Sequence, residues 1–415
     1  MFFNKLGLNG VDNARLWFTD VRIPRSHMLD AFSTVDSRGK FTSHIKGKRA
    51  RFIKMADQLL SGRICIASMT LSSCKITLLN TLRYSQTRLG VSADGTSSTP
   101  LLDYQLQRNA ILPLVAMTYA LNLGLNQVKN IYADIQVNST KSDITSRELI
   151  MKCCVIKPLI AWHTEHAVSI SRERCGGQGY LACNRFGEVI ASVHAAITAE
   201  GDNSVLMQKV AKEYLATVTS SFMLKQGLLS LLPGWLLRLF IRNRPMKLVR
   251  FRKRQLLFQL AKKMRKAKAA GKQAVFTTWM QQESDLVQAV AQAYGDHLVL
   301  RACKSACQQQ QSALLNDVCE LYELGLLQTS ADWYLQQGLL GRYAYRQLKS
   351  RISHLCWVLS GKVEELIAGF NIPDHLIYAP IAKNWEHFNR QESDNQGELD
   401  SVVNLTPADM VESLC

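Results

Sequence analysis

The chain has 415 residues, which is enough for two or three domains that each bury a core. Hydrophobic residues account for 47% and charged residues for 20%, values that fit a soluble globular protein rather than a disordered or fibrous one. Nine prolines are few for this length, which favours long helices. The net charge of +17 indicates that some surface attracts anionic ligands or partners.

The eleven cysteines form no repeated CxxC pair and no Cys-His framework. The chain opens without a secretory signal, so we expect free thiols in a reducing, intracellular compartment. His163 and His166 have the i, i+3 spacing of two metal ligands on one helix face. Because no third ligand is near them in sequence, we predict a packed or solvated helix face and no metal site.

Residues 1–45 are predicted to be the end of a β-domain. The stretch from Asn13 to Pro24, NARLWFTDVRIP, is rich in aromatic and branched residues and is bounded by turn residues, which predicts a β-strand. One or two strands do not form a stable sheet by themselves. We therefore expect the main part of that domain to be absent from this chain.

Residues 46–222 are predicted to form an antiparallel helical bundle. Apolar residues recur at intervals of three and four and form one stripe over about six turns: Leu60, Ile64, Ala67, Leu71, Cys74, Leu78 and Leu82. Further helices are predicted to begin near Asp103, to run from Arg147 to Arg174, and to begin near Asn203. Four long helices with short links are typical of a bundle.

The segment 223–273 is apolar first and basic afterwards. Residues 227–241, GLLSLLPGWLLRLFI, are too short for a membrane span and contain Pro233. Between Lys247 and Lys268 lie ten Lys or Arg residues and no acid. We predict an inter-domain connector followed by a helix with a solvated basic face, and no nucleic-acid partner. Peripheral contact with an anionic membrane is the alternative.

Residues 274–390 are predicted to form a second helical domain, with helices over 283–306, 313–327 and 343–370, before a polar tail at 391–415. The predicted fold class is therefore mainly α. It consists of two helical-bundle domains preceded by a short β-domain remnant.

The stretch RERCGGQGY places three glycines close together, and about twenty residues later AAITA leads into Glu200 and Gly201. Glycines mark sharp turns or close approach of the backbone to a bulky group. A single acid in apolar surroundings is typical of working sites. The simpler interpretation is a helix C-cap followed by a turn residue, and the spacing alone does not choose between the two.

Taken in order, these pieces resemble the acyl-CoA oxidases, which are flavoenzymes related to the acyl-CoA dehydrogenases. LGLNGVDNARLWFTDVRIPR looks like the end of the family's middle β-domain, and LLSGRICIA looks like the start of its flavin-side bundle. RERCGGQGY followed by AEGDNSVLMQ is similar to the family's most diagnostic pair of motifs. ESDLVQAVAQAY, LYELGLL and GFNIPDHLI look like the C-terminal domain that distinguishes the oxidases from the dehydrogenases.

The resemblance implies a reaction and assigns roles to residues. Glu200 falls on the catalytic base that removes the α-proton of a fatty acyl-CoA, while the β-hydrogen leaves as hydride to FAD and O2 then reoxidises the flavin to give H2O2. Gly201 and Arg63 fall on the substrate side. Residues on the flavin side are Arg88, Gln105, Gly176, Gly177, Asp202 and Asn203. The glycines pack against flavin from a partner subunit in this family, so the resemblance also implies a homodimer.

Two other functions stay open from the sequence. One is a dehydrogenase that passes electrons to an electron-transfer flavoprotein. The other is a non-catalytic helical scaffold that binds a membrane or acidic partners through its basic segment. The resemblance implies a peroxisomal location for a eukaryotic protein, and a bacterial cytoplasm fits equally, because the chain ends in Glu-Ser-Leu-Cys without the basic residue of a Ser-Lys-Leu address.

Overall fold

The computed structural model describes residues 4–11, 14–56, 59–137, 143–241 and 244–390. The tail predicted at 391–415 lies outside these residues. The described chain is mainly helical, as predicted, with two small antiparallel hairpins. The hairpins are β1 with β2 and β3 with β4: Ser33–Val35, Phe41–Ser43, Leu89–Val91 and Ser97–Pro100.

The helices of the N-terminal half are α1 to α8 in chain order: Lys48–Ala56, Leu60–Thr87, Gln105–Val137, Asp143–Arg174, Phe186–Thr198, Asn203–Leu215, Ser220–Ser230 and Gly234–Ile241. Those of the C-terminal half are α9 to α16: Pro245–Ala269, Lys272–Phe276, Ser284–Gln310, Ala313–Thr329, Ala331–Gln336, Arg342–Ser360, Val363–Ala368 and Trp385–Arg390. A short π-helix, Thr277–Gln282, links α10 to α11.

The apolar stripe predicted on the first long helix is the buried face of α2. All seven of its residues are buried, and this face packs against α3 and α4. Helices that share such a stripe hide it from water by lying side by side, which stabilises the bundle through burial of apolar area. The bundle core therefore follows directly from the period of the sequence.

Helices α2 and α3 are long and apolar enough to cross a membrane by length and composition. In each of them, more than half of the most apolar 18-residue stretch is buried against the rest of the protein. Core helices of soluble proteins pass the same test, so packing inside the bundle is a sufficient reason for their composition.

The strand predicted from Asn13 to Pro24 is wrong for the residues that the structure describes, 14–24, which are irregular. Leu16, Trp17 and Phe18 are each more than three quarters exposed. A strand is stable when a neighbouring strand pairs with it, and the two short hairpins elsewhere in the chain do not pair with this stretch. Its apolar side chains consequently stay in water.

The basic segment 223–273 is more than the connector that the sequence indicates. Helix α9 packs along α11, and Leu256, Leu257 and Leu260 join the same hydrophobic cluster as the residues of α2. Lys262 and Arg265 are exposed on its outer side, as a solvated basic face requires. Helix α9 thus adds buried residues to the core while keeping the predicted basic face, and the limits proposed for the connector and for the two helical domains remain a prediction.

Candidate functional site

Glu200 lies in a sharp turn between α5 and α6. Helix α5 ends at Thr198, and the next residues have backbone φ angles of +56° at Glu200 and +104° at Gly201. The side chain of Asp202 then begins α6 by accepting a hydrogen bond of 3.1 Å from the backbone N–H of Val205. A positive φ is costly for a glutamate, so the surrounding contacts must hold this conformation in place.

The carboxylate of Glu200 packs against the backbone of α2 at Gly62. A Cβ atom at position 62 would stand 2.6 Å from each carboxylate oxygen of Glu200, closer than any real contact allows. The space for the acid therefore exists because residue 62 is a glycine. This role of Gly62 is not predicted from the sequence, although Gly62 belongs to the SGR stretch that also contains Arg63.

Arg63, one residue further along α2, holds the backbone of the same turn. Its Nε donates a hydrogen bond of 3.2 Å to the carbonyl oxygen of Glu200, and its Nη1 lies 3.5 Å from the sulfur of Cys154. The structure thus brings Arg63 to Glu200, but through the backbone of the turn. The predicted contact of Arg63 with the substrate remains a prediction.

Lys157 is a second residue whose role is not predicted from the sequence. Its side chain is fully buried, and its Nζ donates to the carbonyl oxygens of Ile197 at 3.0 Å and Gly201 at 2.8 Å, and to Oδ1 of Asn203 at 2.8 Å. Burial lowers the pKa of Lys157 to about 8. One cation therefore ties the end of α5, the turn and the start of α6 together.

Asn203, one of the predicted flavin ligands, lies at the start of α6. Its side chain is buried beneath the turn and accepts from Lys157, and its Nδ2 has no hydrogen-bond partner in the described part of the chain. Asp202 is exposed, but its carboxylate caps α6. In this geometry both residues support the turn, and their contact with flavin remains a prediction.

The other predicted flavin residues form a second group where α2 and α4 end and α3 begins. Gln107 connects these three helices, because its Nε2 donates to Oγ of Ser85 at 2.9 Å and to the carbonyl oxygen of Arg174 at 3.1 Å. Arg88 and Gln105 lie two or three residues from these contacts, and both are exposed. The structure therefore gathers them at one end of the bundle.

Gly176 and Gly177 complete this group with an open backbone surface. Gly176 has a φ of +57°, which ends α4 in the left-handed conformation. No described atom lies within 4 Å of a Cβ built at either glycine. Nearby, the Arg88 guanidinium lies 5.3 Å from the centre of the Trp385 ring, and Gln105 donates to Oγ of Ser353 at 3.0 Å.

The two groups of site residues lie far apart in one chain. Arg63 and Arg88 stand at opposite ends of α2, and 25 residues of helix span roughly 37 Å. The structure thus brings together Arg63, Glu200 and Gly201, and separately Arg88, Gln105 and the two glycines. A ligand that touches the open glycines does not reach Glu200 of the same chain unless it is about that long.

Known protein families give this geometry its context. The family described as "Acyl-CoA oxidase, C-alpha1 domain" matches residues 57–215, which include both groups of site residues. The family described as "Acyl-CoA oxidase" matches residues 243–384.

The chain belongs to the acyl-CoA oxidase family.

Relatives that align with most or with half of the chain support this membership. The chain is 31% identical over 409 residues to acyl-coenzyme A oxidase 3, peroxisomal, of Arabidopsis thaliana, an alignment that covers 94% of this chain. It is 33% identical over 218 residues to the human peroxisomal acyl-coenzyme A oxidase 3. The alignments cover 59% of the Arabidopsis protein and 31% of the human one, so this acyl-CoA oxidase family member matches only part of its relatives.

Solved structures share the fold of this acyl-CoA oxidase family member. Acyl-CoA oxidase-2 of Caenorhabditis elegans, bound with FAD, ascaroside-CoA and ATP, aligns with a TM-score of 0.81 and 18% identity over 98% of this chain and 62% of its own. Acyl-CoA oxidase 1 of Yarrowia lipolytica aligns with a TM-score of 0.77 and 19% identity over 97% of this chain and 64% of its own. At these identities the likeness shows the fold.

Proposed function

We propose that this chain supplies the base-bearing part of an acyl-CoA oxidase, which oxidises a fatty acyl-CoA to the trans-2-enoyl-CoA with FAD as cofactor and O2 as electron acceptor. The observation that favours the proposal most strongly is the set of contacts that hold Glu200 and its turn in place. Its carboxylate fits over Gly62, while Arg63 and Lys157 hold the carbonyl oxygens on either side of the turn. A turn residue without a chemical role needs no such support.

In the proposed reaction the carboxylate of Glu200 takes the α-proton of the thioester. A general base works when it is held within hydrogen-bond reach of the proton it removes. The left-handed turn presents the side chain, and the fixed carbonyl groups of Glu200 and Gly201 keep the turn from rotating away. This chain therefore contributes position as well as the acid itself.

The same turn offers a donor for the thioester carbonyl. In the described part of the chain, the backbone N–H of Glu200 donates to no other backbone group, because the last bond of α5 is that of Ala199 to Ala195. A free N–H next to the base is suited to stabilise negative charge that develops on the thioester oxygen. Gly201 adds no side chain that blocks the approach.

The residues of the second group fit FAD. Two glycines leave an open backbone surface, Arg88 would supply a cation for the phosphates, and Gln105 would supply an amide. When bound, FAD accepts the β-hydrogen as hydride and passes the electrons to O2, which gives H2O2. The relative from Caenorhabditis elegans was solved with FAD, which supports the same cofactor here.

We propose a homodimer, because the two groups of site residues are too far apart to serve one flavin within a single chain. A two-fold axis brings the glycine end of one chain to the Glu200 end of its partner, and closed two-fold dimers are the commonest assembly. Light scattering of the purified chain at micromolar concentration is expected to give twice the mass of 46.7 kDa. A monomer with intact helical circular dichroism would contradict the dimer.

For a eukaryotic source we propose a peroxisomal location, because the relatives from Arabidopsis and human are named peroxisomal. The substrate partners are a fatty acyl-CoA and O2. Contact of α9 with a membrane is not part of the proposal.

The activity is tested in a chimera that joins this chain to the preceding residues of the Arabidopsis relative. With palmitoyl-CoA, FAD and air, we expect one H2O2 for each enoyl-CoA formed, measured by a peroxidase-coupled assay and by chromatography of the CoA esters. Enoyl-CoA that forms only with an artificial electron acceptor would indicate a dehydrogenase instead. Absence of enoyl-CoA from a chimera that folds and binds FAD would contradict the proposed function.

A further inference from the structure

Helix α7 exposes a row of leucines to solvent. Leu224, Leu228 and Leu231 are 67%, 60% and 80% exposed. Their spacing of four and three residues places them on one face of the helix, and Leu231 keeps a helical backbone conformation as the C-cap residue. We call these three residues the leucine ridge. Single exposed leucines are common, but a row of them on one helix indicates a surface that contacts an apolar partner.

The opposite side of α7 packs on α9. A Cβ at Gly227 would lie 3.9 Å from the ring of Phe258. Met223 lines a small cavity together with Ala261 of α9, and Gln226 is buried. The leucine ridge therefore points away from the described part of the protein.

The chain around α7 carries almost the whole net charge of the protein. Residues 214–282 contain fifteen Lys or Arg residues and no Asp or Glu, compared with a net charge of +17 for the entire chain. Among the cations of this segment that the structure describes, only Arg252 and Lys263 form ion pairs, with Asp296 and Glu283. The others are available to attract anions from outside the protein.

Five of these cations lie on the face of α9 against which α7 packs. They recur at spacings of three, four, eleven and three residues and therefore share one stripe of the helix: Lys247, Arg250, Arg254, Arg265 and Lys268. All five are exposed. Phe258 and Ala261, which lie beside α7, occupy the middle of the same stripe. The leucine ridge thus stands between two groups of cations, which we call the basic stripe.

Two cavities show how close the basic stripe comes to α7. Arg265 and Lys268 line one of them together with Met223. Arg250 lines the other together with Phe222. Apolar and cationic side chains therefore meet at one continuous surface that is formed by two helices.

This combination fits the surface of an anionic bilayer. Apolar side chains of such a surface enter the boundary between headgroups and acyl chains, while cations beside them contact the negatively charged headgroups. A nucleic acid would contact the cations but leave the leucines in water. A second copy of the chain, placed by a two-fold axis, would cover the leucines but bring the two basic stripes face to face, which like charges disfavour.

We infer that α7 and the basic stripe of α9 form a peripheral membrane site, in which the leucine ridge inserts into an anionic bilayer and the cations contact its headgroups. The site uses none of the residues assigned to the proposed reaction. Its test therefore gives the same answer whether or not the chain belongs to an active oxidase.

The test is sedimentation of the purified full-length chain with two kinds of vesicle. One kind contains equal parts of phosphatidylcholine and phosphatidylserine, and the other contains phosphatidylcholine alone. We expect the chain to sediment with the anionic vesicles and to remain in solution with the neutral ones. The bound fraction should fall as salt rises, because salt screens the attraction between the cations and the headgroups.

Leucine variants test the insertion of the ridge. Leu224→Gln and Leu228→Gln each remove one apolar side chain that becomes buried in the bilayer, and we expect each to weaken vesicle binding about tenfold. Leu106→Gln is the control, because Leu106 is 71% exposed in the first turn of α3 and should have no effect on binding. All three positions are exposed, so the variants should keep the parent's circular dichroism.

Charge variants test the basic stripe. The double variant Arg254→Gln, Arg265→Gln should weaken vesicle binding by at least about tenfold, since each cation near an anionic surface contributes to binding. The double variant Arg346→Gln, Lys349→Gln removes the same charge from exposed positions of α14 and should bind like the parent.

Four results would overturn the inference. Absence of binding to anionic vesicles at low salt would exclude a membrane site, and equal weakening by the α14 variant would indicate a nonspecific charge effect. Unchanged binding of both leucine variants on α7 would show that the ridge does not insert. Conversion of a dimeric parent into a monomer by Leu224→Gln, measured by light scattering, would assign the ridge to an interface between copies of the chain.

Discussion

The carboxyl carbon of Glu200 lies so close to α2 that a Cβ at Gly62 would stand 2.5 Å from it. The residue that makes room for the proposed base is thus the neighbour of Arg63, which holds the base's own carbonyl oxygen at 3.2 Å. Two consecutive residues of one helix, Gly62 and Arg63, therefore set the position of an acid that follows them by more than 130 residues in the chain.

Gly62→Ala is predicted to move the base without unfolding the protein. The clash involves the far end of a flexible side chain, so the carboxylate shifts instead of the backbone. A methyl group in a helix adds about 0.5–1 kcal/mol of stability relative to glycine, while a displacement on the order of 1 Å costs roughly a hundredfold in rate. Thermal denaturation and flavin reduction in the chimera measure the two effects.

The control for this change is Gly325→Ala in α12, where a Cβ would meet no described atom within 4 Å. It should give the same gain in stability with an unchanged rate. If Gly62→Ala also leaves the rate unchanged, the position of the carboxylate over Gly62 has no part in catalysis.

Glu200→Gly is predicted to raise the melting temperature of the chain. The glutamate has a φ of +56°, and the left-handed conformation costs a residue with a side chain about 1–2 kcal/mol relative to glycine. A higher melting temperature would show that the turn is less stable with the acid at position 200 than with glycine. Glu188→Gly, inside α5, is the control and should lower stability by about 1 kcal/mol. A destabilised Glu200→Gly protein would indicate that the acid has a structural role.

Lys157→Met is predicted to destabilise the chain by about 1–3 kcal/mol or more, because it leaves one buried acceptor and two partly buried acceptors without a donor, and an unsatisfied buried acceptor costs roughly 1–3 kcal/mol. These acceptors belong to Ile197, Gly201 and Asn203. Urea denaturation followed by circular dichroism measures the loss. Lys152→Met is the control on the same helix. The ammonium of Lys152 pairs with the half-exposed Glu148, so its loss should lower the free energy of unfolding much less. A loss no larger than that of the control would contradict the role given to Lys157.

The sequence predicts the core better than it predicts the site. The stripe from Leu60 to Leu82 follows the helical period, so α2 and its buried face are correctly predicted. Helix α5 is missed, because it directly follows the glycine cluster that indicates a loop. On α6, Val205 is 60% exposed, whereas its neighbour Leu206 is buried. Short helices with few core residues give too little period to fix their buried face.

The supports of the base are harder to predict for a physical reason. Lys157 lies 44 residues from Gly201 in sequence, and nothing local distinguishes a lysine that ties a distant turn from one that reaches solvent. From the sequence, Gly62 is only a residue with low helix propensity. Its role becomes clear once the side chain of Glu200 is seen to pack against it. Resemblance to a family indicates which residues act on the substrate, while the contacts that position them depend on how the helices pack.

Acid is predicted to destabilise the chain through His163. This side chain is buried and bonded to Thr118 at 2.8 Å, and burial lowers its pKa to about 3. Above pH 6.5 the histidine is neutral in both states, so its contribution is fully present there. As the pH falls below 6.5 the unfolded state binds a proton that the folded state does not, and stability is lost until the pH nears 3.

Between pH 7 and pH 5, His163 alone should lower the free energy of unfolding by about 2 kcal/mol. His163→Gln should lose less stability over the same interval, measured by urea denaturation at each pH. His375→Gln, at an exposed position, should follow the parent. Equal acid sensitivity of the parent and His163→Gln would show that His163 is not the group responsible.

The most direct test of the account concerns Glu200→Gln in the chimera, followed by anaerobic stopped-flow bleaching of the flavin absorbance. Glutamine keeps the size of the side chain but removes the basic oxygen, so acyl-CoA should still bind while flavin reduction slows. We predict a loss of roughly ten-thousand-fold or more, at the upper end of what a general base contributes. Glu188 is an exposed acid of α5, and in the Glu188→Gln control the flavin should be reduced at the parent rate. A Glu200→Gln protein that reduces its flavin within about tenfold of the parent, well below that range, would contradict the assignment of Glu200 as the base.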